Sequence, residues 1–208
     1  MISISNCIGK KLKVYWGWDI KQNRQEILDF GIPEGKFSAF EAWSTNDELV
    51  GFPGVFYSLD AAREFIADFM AGDSDIVAIG IGLPNGMVDD FLADNPQIIY
   101  DPVKQTHHGD LYGVNYVLHQ KNQLEPYGKG MGFEVVGENF GLSCSWLCSG
   151  IEKDMHELYG IRPNSYGLID TYADAAKVYE WIAEDEMQGT RAEPEPYYPW
   201  LIVQYPLH

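Results

Sequence analysis

Two segments of the chain repeat one arrangement of a helix-capping residue, small residues and aromatic residues. The first reads GVFYSLDAAREFIADF (Gly54–Phe69) and the second reads YGLIDTYADAAKVYEWIAEDE (Tyr166–Glu186). Ser58 and Thr171 are good N-cap residues, and the apolar residues after them are spaced by three or four. The repeat therefore predicts two amphipathic helices, each of which needs a sheet to cover. In the second helix the predicted buried stripe is Tyr172, Ala176, Tyr179 and Ile182.

The similarity between the two segments extends to what precedes them. DFGIP (Asp29–Pro33) comes before the first segment, and LYGIRP (Leu158–Pro163) comes before the second. Each copy can be written as strand, helix ending in Gly-Ile, loop, strand, capped helix, strand. Two explanations are open: the unit is duplicated, or both segments converged on the same favourable helix chemistry.

Apolar runs between the helical segments predict strands. These runs are DIVAIGIGLP, FEVVGE, LSCSWLCS and WLIVQY, and the alternation of Val114, Tyr116 and Leu118 predicts another strand. Such interleaving predicts an α+β fold in which mixed or antiparallel sheets are covered by helices. Residues 1–125 and 126–208 form either two related α+β halves or one compact domain.

The charge balance limits the classes of partner. The formal net charge is −17, from 14 Lys and Arg residues against 31 Asp and Glu residues. We expect no direct nucleic-acid-binding face, because such faces are built from clustered Lys and Arg. An acidic surface suits a basic protein, divalent cations or water alone.

The N-terminal segment and the hydropathy predict the compartment. MISISNCIGKKLKVYW has no apolar core preceded by Lys or Arg, and no apolar run reaches the roughly 18 residues of a membrane span. Three cysteines without CxxC spacing fit a reducing compartment. We therefore expect a cytoplasmic protein without a membrane segment.

A few polar clusters are candidates for chemistry. His107, His108 and Asp110 form either a metal site, if the segment is a loop, or an ordinary turn. Asp90 and Asp94 lie one turn apart on a predicted helix, as a divalent-metal pair or as a solvated face. No nucleotide-binding glycine pattern and no nucleophile elbow is present, so the sequence predicts no cofactor.

The segment VYWGWDIKQNRQEILDFGI, followed by GVFYSLDAAREFI and DIVAIGI, resembles the N-terminal half of ADP-ribosyltransferase-like domains. The resemblance covers roughly Leu12 to Leu83. It implies an NAD-contacting position at Trp16, where the family has His or Arg, and a second motif at Tyr57 and Ser58. By order in the chain, it implies a catalytic glutamate at Glu134 or Glu138.

The overall profile resembles bacterial immunity proteins, which bind and block a cognate toxin inside the producing cell. Acidic charge, abundant aromatic residues and missing catalytic motifs favour such a non-catalytic binding protein over an enzyme. The enzyme alternatives are a divergent ADP-ribosyltransferase and a metal-dependent hydrolase, and a third alternative is an acidic mimic of DNA. The candidate partner-binding residues lie in one loop: Phe37, Phe40, Glu41, Trp43, Asp47, Glu48 and Phe52.

Overall fold

The structure is a computed structural model, and it describes part of the chain. The described residues are 2–10, 13–14, 35, 50–51, 55–56, 58–69, 76–94, 99–101, 106–108, 118, 123–139, 142–147, 150–184, 192 and 196–206. In these residues the chain forms an α+β fold around an eight-stranded sheet, which confirms the predicted class.

Every strand pairing among the described residues is antiparallel. The strands of the large sheet are β1 (Ile2–Lys10), β2 (Lys13–Val14), β3 (Val50–Gly51), β4 (Val55–Phe56), β5 (Ile76–Leu83), β8 (Lys129–Asn139), β9 (Leu142–Ser145) and β10 (Tyr197–Tyr205). Their order is β3-β4-β1-β5-β10-β8-β9, and β2 pairs with β1. Two further strands, β6 (Ile99–Asp101) and β7 (Thr106–His108), pair as a separate ribbon. The sheet therefore joins strands from both 1–125 and 126–208.

The pairings run in the same order on both sides of the sheet centre. On one side β1 lies between β4 and β5; on the other β8 lies between the bridge residue Ile169 and β10. The two final strands of these series, β5 and β10, pair with each other, with Gly80 opposite Val203. If the unit is duplicated, the same order of pairing is expected in both copies. The duplication itself stays a prediction.

The two repeated segments form the predicted capped helices. Helix α1 (Leu59–Phe69) begins after Ser58, whose Oγ accepts the Ala61 N–H at 3.0 Å. Helix α4 (Tyr172–Ala183) begins after Thr171, whose Oγ1 accepts the Asp174 N–H at 3.2 Å. Each hydroxyl satisfies a backbone donor that has no partner inside its helix. Both N-cap predictions are confirmed.

Two shorter helices complete the described helices. A 3₁₀ turn (Asn85–Met87) leads from β5 into α2 (Val88–Asp94), and α3 (Ile151–Tyr159) follows β9. Helix α3 ends at Gly160, which adopts φ 70° and donates its N–H to the His156 carbonyl. This left-handed stop is the one expected where a glycine follows the last helical residue. None of the described helices is both long and apolar enough to cross a membrane.

Helices cover both faces of the sheet in the described part. Neighbouring residues of a strand point to opposite faces of the sheet. We call the face that carries Val135 the α4 face and the face that carries Val136 the α2 face. The α4 face packs against α3 and α4, through buried residues that include Met155, Val178 and Ile182. The α2 face packs against Val88 and Phe91 of α2. The cores on the two faces hold α2 and α4 at the same end of β10.

The structure corrects several details of the sequence-based prediction. Strand β1 was not predicted, and β8 begins at Lys129, before the predicted strand FEVVGE. The strand that the repeat predicts ahead of its second capped helix is reduced to one bridge, between Ile169 and Phe133. Leu118 is helical and fully buried rather than part of a strand. Leu118 belongs to the core on the α2 face.

The buried stripe of α4 also differs from the predicted one. Its buried residues are Ala175, Val178, Trp181 and Ile182. Tyr172 is 43% exposed and Tyr179 is only partly buried. The helix is rotated so that these four residues face the core on the α4 side of the sheet. Tyr179 packs at the edge of that core, whereas Tyr172 is exposed.

Candidate functional site

A cleft of about 130 Å³ opens where the last residues of α2 and α4 meet the first residues of β10. The apolar side is contributed by α4 and by Pro196, and the polar side by a carboxylate and tyrosines. Its lining residues are Asp94, Tyr179, Ile182, Ala183, Pro196, Tyr197 and Tyr198. No Lys or Arg is among these described lining residues. We call this site the tyrosine–carboxylate cleft.

Helix α2 is placed beside the cleft by one aromatic side chain. Phe91 is fully buried and meets the rings of Tyr198 and Trp200 edge to face, each at 5.2 Å between centroids. Edge-to-face pairs add to the stabilisation that ring burial already gives. Asp94, one turn after Phe91, then lies within reach of Tyr198.

A short hydrogen bond fixes the carboxylate. The Tyr198 hydroxyl donates to Asp94 Oδ2 at 2.5 Å. Tyr198 is only 2% exposed, so the bond satisfies a hydroxyl that has lost its water. The Tyr179 ring lies 6.1 Å from the Tyr198 ring and is inclined to it by 30°. A carboxylate and two ring faces are thus held together by three separate elements.

The electrostatics of the cleft are negative. Burial raises the pKa of Tyr198 far above its usual range, and the hydrogen bond to Asp94 raises it further. Burial also raises the pKa of Tyr179, with smaller contributions from the charges of Asp90 and Asp94. Both tyrosines therefore stay protonated near neutral pH. They cannot act there as proton-accepting bases, and they present neutral rings beside fixed carboxylates.

The helix ends add to this negative potential. Asp94 is the last residue of α2 and Ala183 the last of α4, and both line the cleft. A helix C-terminus carries a partial negative charge that basic side chains usually neutralise. Neither helix has a basic residue in its last turn. Aromatic faces, a carboxylate and two helix C-termini together form a site that favours a cation.

A second polar pair lies on the α2 face, away from the cleft. Ser145 Oγ donates to Glu134 Oε1 at 2.5 Å and accepts the Leu147 N–H at 3.1 Å. Glu134 stands opposite Trp200 in the β8–β10 ladder. Burial raises its pKa from 4.5 to about 7, although the Ser145 hydrogen bond lowers it in part. The pair ties β9 to β8.

The raised pKa of Glu134 predicts a pH-dependent stability. The folded carboxyl holds its proton more tightly than the unfolded one, so the stability that it contributes is lost as the pH rises from 4.5 through about 7. Glu134→Gln keeps an acceptor for Ser145 but does not titrate. From about pH 5 to pH 8 we expect the variant to gain about 2–3 kcal/mol in free energy of unfolding relative to the wild type. Urea unfolding at several pH values measures this.

Glu157→Gln, on the exposed side of α3, is the control for this experiment. Its free energy of unfolding is expected to stay within about 0.5 kcal/mol of the wild-type value at each pH, as for an ordinary surface substitution. A difference between Glu134→Gln and wild type that also stays constant across this range will show that the Glu134 carboxyl does not titrate there.

The predicted site residues fall partly outside the described residues. The whole candidate partner-binding loop set, Phe37, Phe40, Glu41, Trp43, Asp47, Glu48 and Phe52, lies outside them, as do Trp16, Tyr57 and Asp110. His107 and His108 lie in β7, opposite Tyr100 and Ile99. Among the described residues no group of three or more His, Cys, Asp or Glu is placed to hold a metal ion.

The ADP-ribosyltransferase candidates that are described have structural contacts. Ser58 caps α1, and Glu134 bonds Ser145. Glu138 lies in β8 opposite Ser143 of β9. These contacts give Ser58 and Glu134 structural roles that do not require a bound nucleotide.

Sequence reasoning missed the two tyrosines of the cleft. The predicted stripe places Tyr179 in the core, and the predicted final strand WLIVQY begins at Trp200, whereas β10 begins at Tyr197 and so includes Tyr198. One signal was available, since both helical segments end in acidic residues without a neighbouring Lys or Arg. Such a charge is unfavourable at a helix C-terminus and so marks a position shaped by something other than helix stability.

Comparison of the chain with protein-family models, with curated proteins and with solved structures found no match. The resemblances to immunity proteins and to ADP-ribosyltransferase-like domains stay predictions from the sequence.

Proposed function

We propose that the protein is a non-catalytic binding protein that recognises a basic protein partner, as an immunity or antitoxin-type inhibitor does in the cytoplasm. The observation that carries the proposal is the tyrosine–carboxylate cleft, where Asp94 and two helix C-termini meet the rings of Tyr179 and Tyr198. Such a site favours positive charge and offers the aromatic surface that interface anchors use.

The whole-chain charge supports the same partner. A net charge of −17 attracts a basic protein from a distance and raises the rate of association. This attraction is screened by salt, with a Debye length of about 10 Å at 0.1 M. Toxins that cleave nucleic acids are often basic because they must bind phosphate, so an acidic inhibitor complements their binding face.

The enzyme alternatives depend on residues outside the described part. An ADP-ribosyltransferase needs the motif at Trp16 and Tyr57, and a metal hydrolase needs Asp110 beside His107 and His108. Labelled NAD decides the first alternative, and metal analysis with and without EDTA decides the second. The DNA-mimic alternative shares the acidic surface but needs carboxylates spaced like phosphates instead of an aromatic cleft.

Co-expression tests the proposal directly. The protein is produced together with each product of the genes adjacent to its own, and growth and co-elution are measured. We expect one toxic basic product to be neutralised and to co-elute with the protein, with an association rate that falls as salt is added. If no adjacent product is toxic, or if a toxic one is neither bound nor neutralised, the proposal is wrong.

A further inference from the structure

We infer that the tyrosine–carboxylate cleft receives a single arginine side chain of the partner. This inference rests on the proposed function and makes it more specific: the guanidinium group is the chemical feature that the cleft recognises. The observations that carry it are the size of the cleft, its hydrogen-bond acceptors and its aromatic faces.

The size of the cleft fits the end of one side chain. At about 130 Å³ it exceeds the roughly 10–15 Å³ that one water molecule needs. It is well below the roughly 300–1,000 Å³ of pockets that bury whole small-molecule ligands. A volume of this size suits the planar head group of one side chain.

The acceptors of the cleft suit a donor that forms several hydrogen bonds. Tyr198 already donates to Asp94 Oδ2, which orients the carboxylate, and Oδ1 is the second acceptor of this exposed residue. Asp90 lies one turn earlier on α2, on the same side of the helix, and both charges act on Tyr179. A guanidinium presents N–H donors in a fixed planar fork that matches carboxylates. An ammonium group lacks this fork and is more strongly hydrated.

The ring faces give the second part of the recognition. Tyr179 is only partly buried and lines the cleft, and its ring lies against that of the buried Tyr198. Arginine stacks on aromatic faces through both its charge and its planar group. The apolar contacts of Ile182, Ala183 and Pro196 are available to the methylene stem.

The test is a titration of the full chain with short peptides, followed by NMR at low ionic strength. The probes are Gly-Gly-Arg-Gly-Gly, blocked at both ends, and the same peptide with lysine or citrulline in place of arginine. We expect the arginine peptide to bind with shifts at the Ala183, Tyr197 and Tyr198 amides. The lysine peptide is expected to bind about threefold to tenfold more weakly, and the uncharged citrulline peptide not measurably.

Four variants separate binding in the cleft from attraction by the general negative charge. Asp94→Asn keeps an acceptor for Tyr198 but loses the charge, and Tyr179→Leu loses the ring; each is expected to weaken the arginine peptide about tenfold. Tyr179→Phe removes only the hydroxyl and is expected to weaken the arginine peptide less than Tyr179→Leu does, because it keeps the ring face. Glu157→Gln removes one charge from α3 and is expected to bind like wild type.

The outcomes distinguish this inference from the proposed function. Absence of arginine binding, equal binding of citrulline, or equal weakening by Asp94→Asn and Glu157→Gln will each overturn the arginine cleft. Preference for lysine over arginine will overturn the guanidinium assignment. Neutralisation of a basic toxin in the co-expression experiment decides the proposed function independently of all these results.

Discussion

Replacing Gly132 with alanine will lower the free energy of unfolding by about 3–5 kcal/mol. Gly132 adopts φ 135°, a backbone region that is accessible essentially to glycine alone. A Cβ atom there would lie 2.8 Å from the Ile169 carbonyl oxygen, 2.8 Å from the Leu168 Cβ and 3.1 Å from the Asn164 Nδ2. Backbone strain costs about 1–3 kcal/mol, and forced contacts cost a similar amount.

The contact is tight because a backbone bridge joins Phe133 of β8 to Ile169. Phe133 donates its N–H to the Ile169 carbonyl at 2.7 Å, and Ile169 donates back to Phe133 at 2.8 Å. Asn164 Nδ2 donates to the Met131 carbonyl at 2.9 Å. The connection between α3 and α4 therefore lies directly against the backbone of Gly132. The methyl group of an alanine at position 132 would push β8 and residues 164–169 apart.

Gly130→Ala is the matched control, two residues earlier in the same strand. Gly130 is exposed, and no atom lies within 4 Å of the position that an alanine Cβ would take there, so we expect a change below about 0.5 kcal/mol. Chemical denaturation of both variants measures the difference. Equal stabilities of the two variants will contradict the described packing of residues 164–169 on β8.

Phe91→Ala is expected to lower the free energy of unfolding by about 3–5 kcal/mol and to abolish binding in the cleft. The side chain is fully buried against Tyr198 and Trp200, and truncating such a ring leaves a cavity. The effect reaches the site because the same helix carries Asp90 and Asp94. Denaturation and the arginine-peptide titration measure the two consequences.

Two further variants keep this prediction testable if Phe91→Ala does not fold. Phe91→Leu retains most of the volume and is expected to cost about 1.5 kcal/mol or less while weakening peptide binding. Asp89→Ala, on the exposed side of the same helix, is expected to change stability by about 0.5 kcal/mol or less. If Phe91→Ala is no less stable than Asp89→Ala, α2 is not anchored as described.

Local features of the fold were predictable because their causes are local. The N-caps Ser58 and Thr171 each act within three residues of themselves. The Gly160 stop depends on one backbone conformation. Strand β5 was predictable from its continuous apolar run, since every residue from Val77 to Leu83 is buried and both faces of the strand are therefore covered.

The sheet order could not be predicted, because the pairing of β5 with β10 joins residues that are far apart in the chain. Nothing in either strand alone specifies that partner. The rotation of α4 is a similar case: it depends on which residues meet the sheet, and Tyr179 and Val178 are equally compatible with a helical stripe. In the folded chain, packing against the sheet buries Val178 and leaves Tyr179 only partly buried.

The candidate site was predictable only in part. Asp90 and Asp94 were predicted to be neighbours on a helix, and the acidic charge was consistent with a basic protein, divalent cations or water alone. Tyr179 and Tyr198 belong to different elements that meet Asp94 only in the folded chain. A site built from three elements leaves no continuous motif in the sequence. The acidic residues at the ends of the helices were the sequence signal that could have indicated it.

The most direct test of the account compares two double variants of equal net charge by calorimetric titration with an octamer of arginine. One variant, Asp90→Asn with Asp94→Asn, neutralises the cleft; the other, Glu64→Gln with Glu157→Gln, neutralises exposed acids on α1 and α3. If the cleft is the cation-binding site, the first variant binds the octamer at least about tenfold more weakly than the second. Equal affinities of the two variants will contradict the account, because they will assign the attraction to total charge alone.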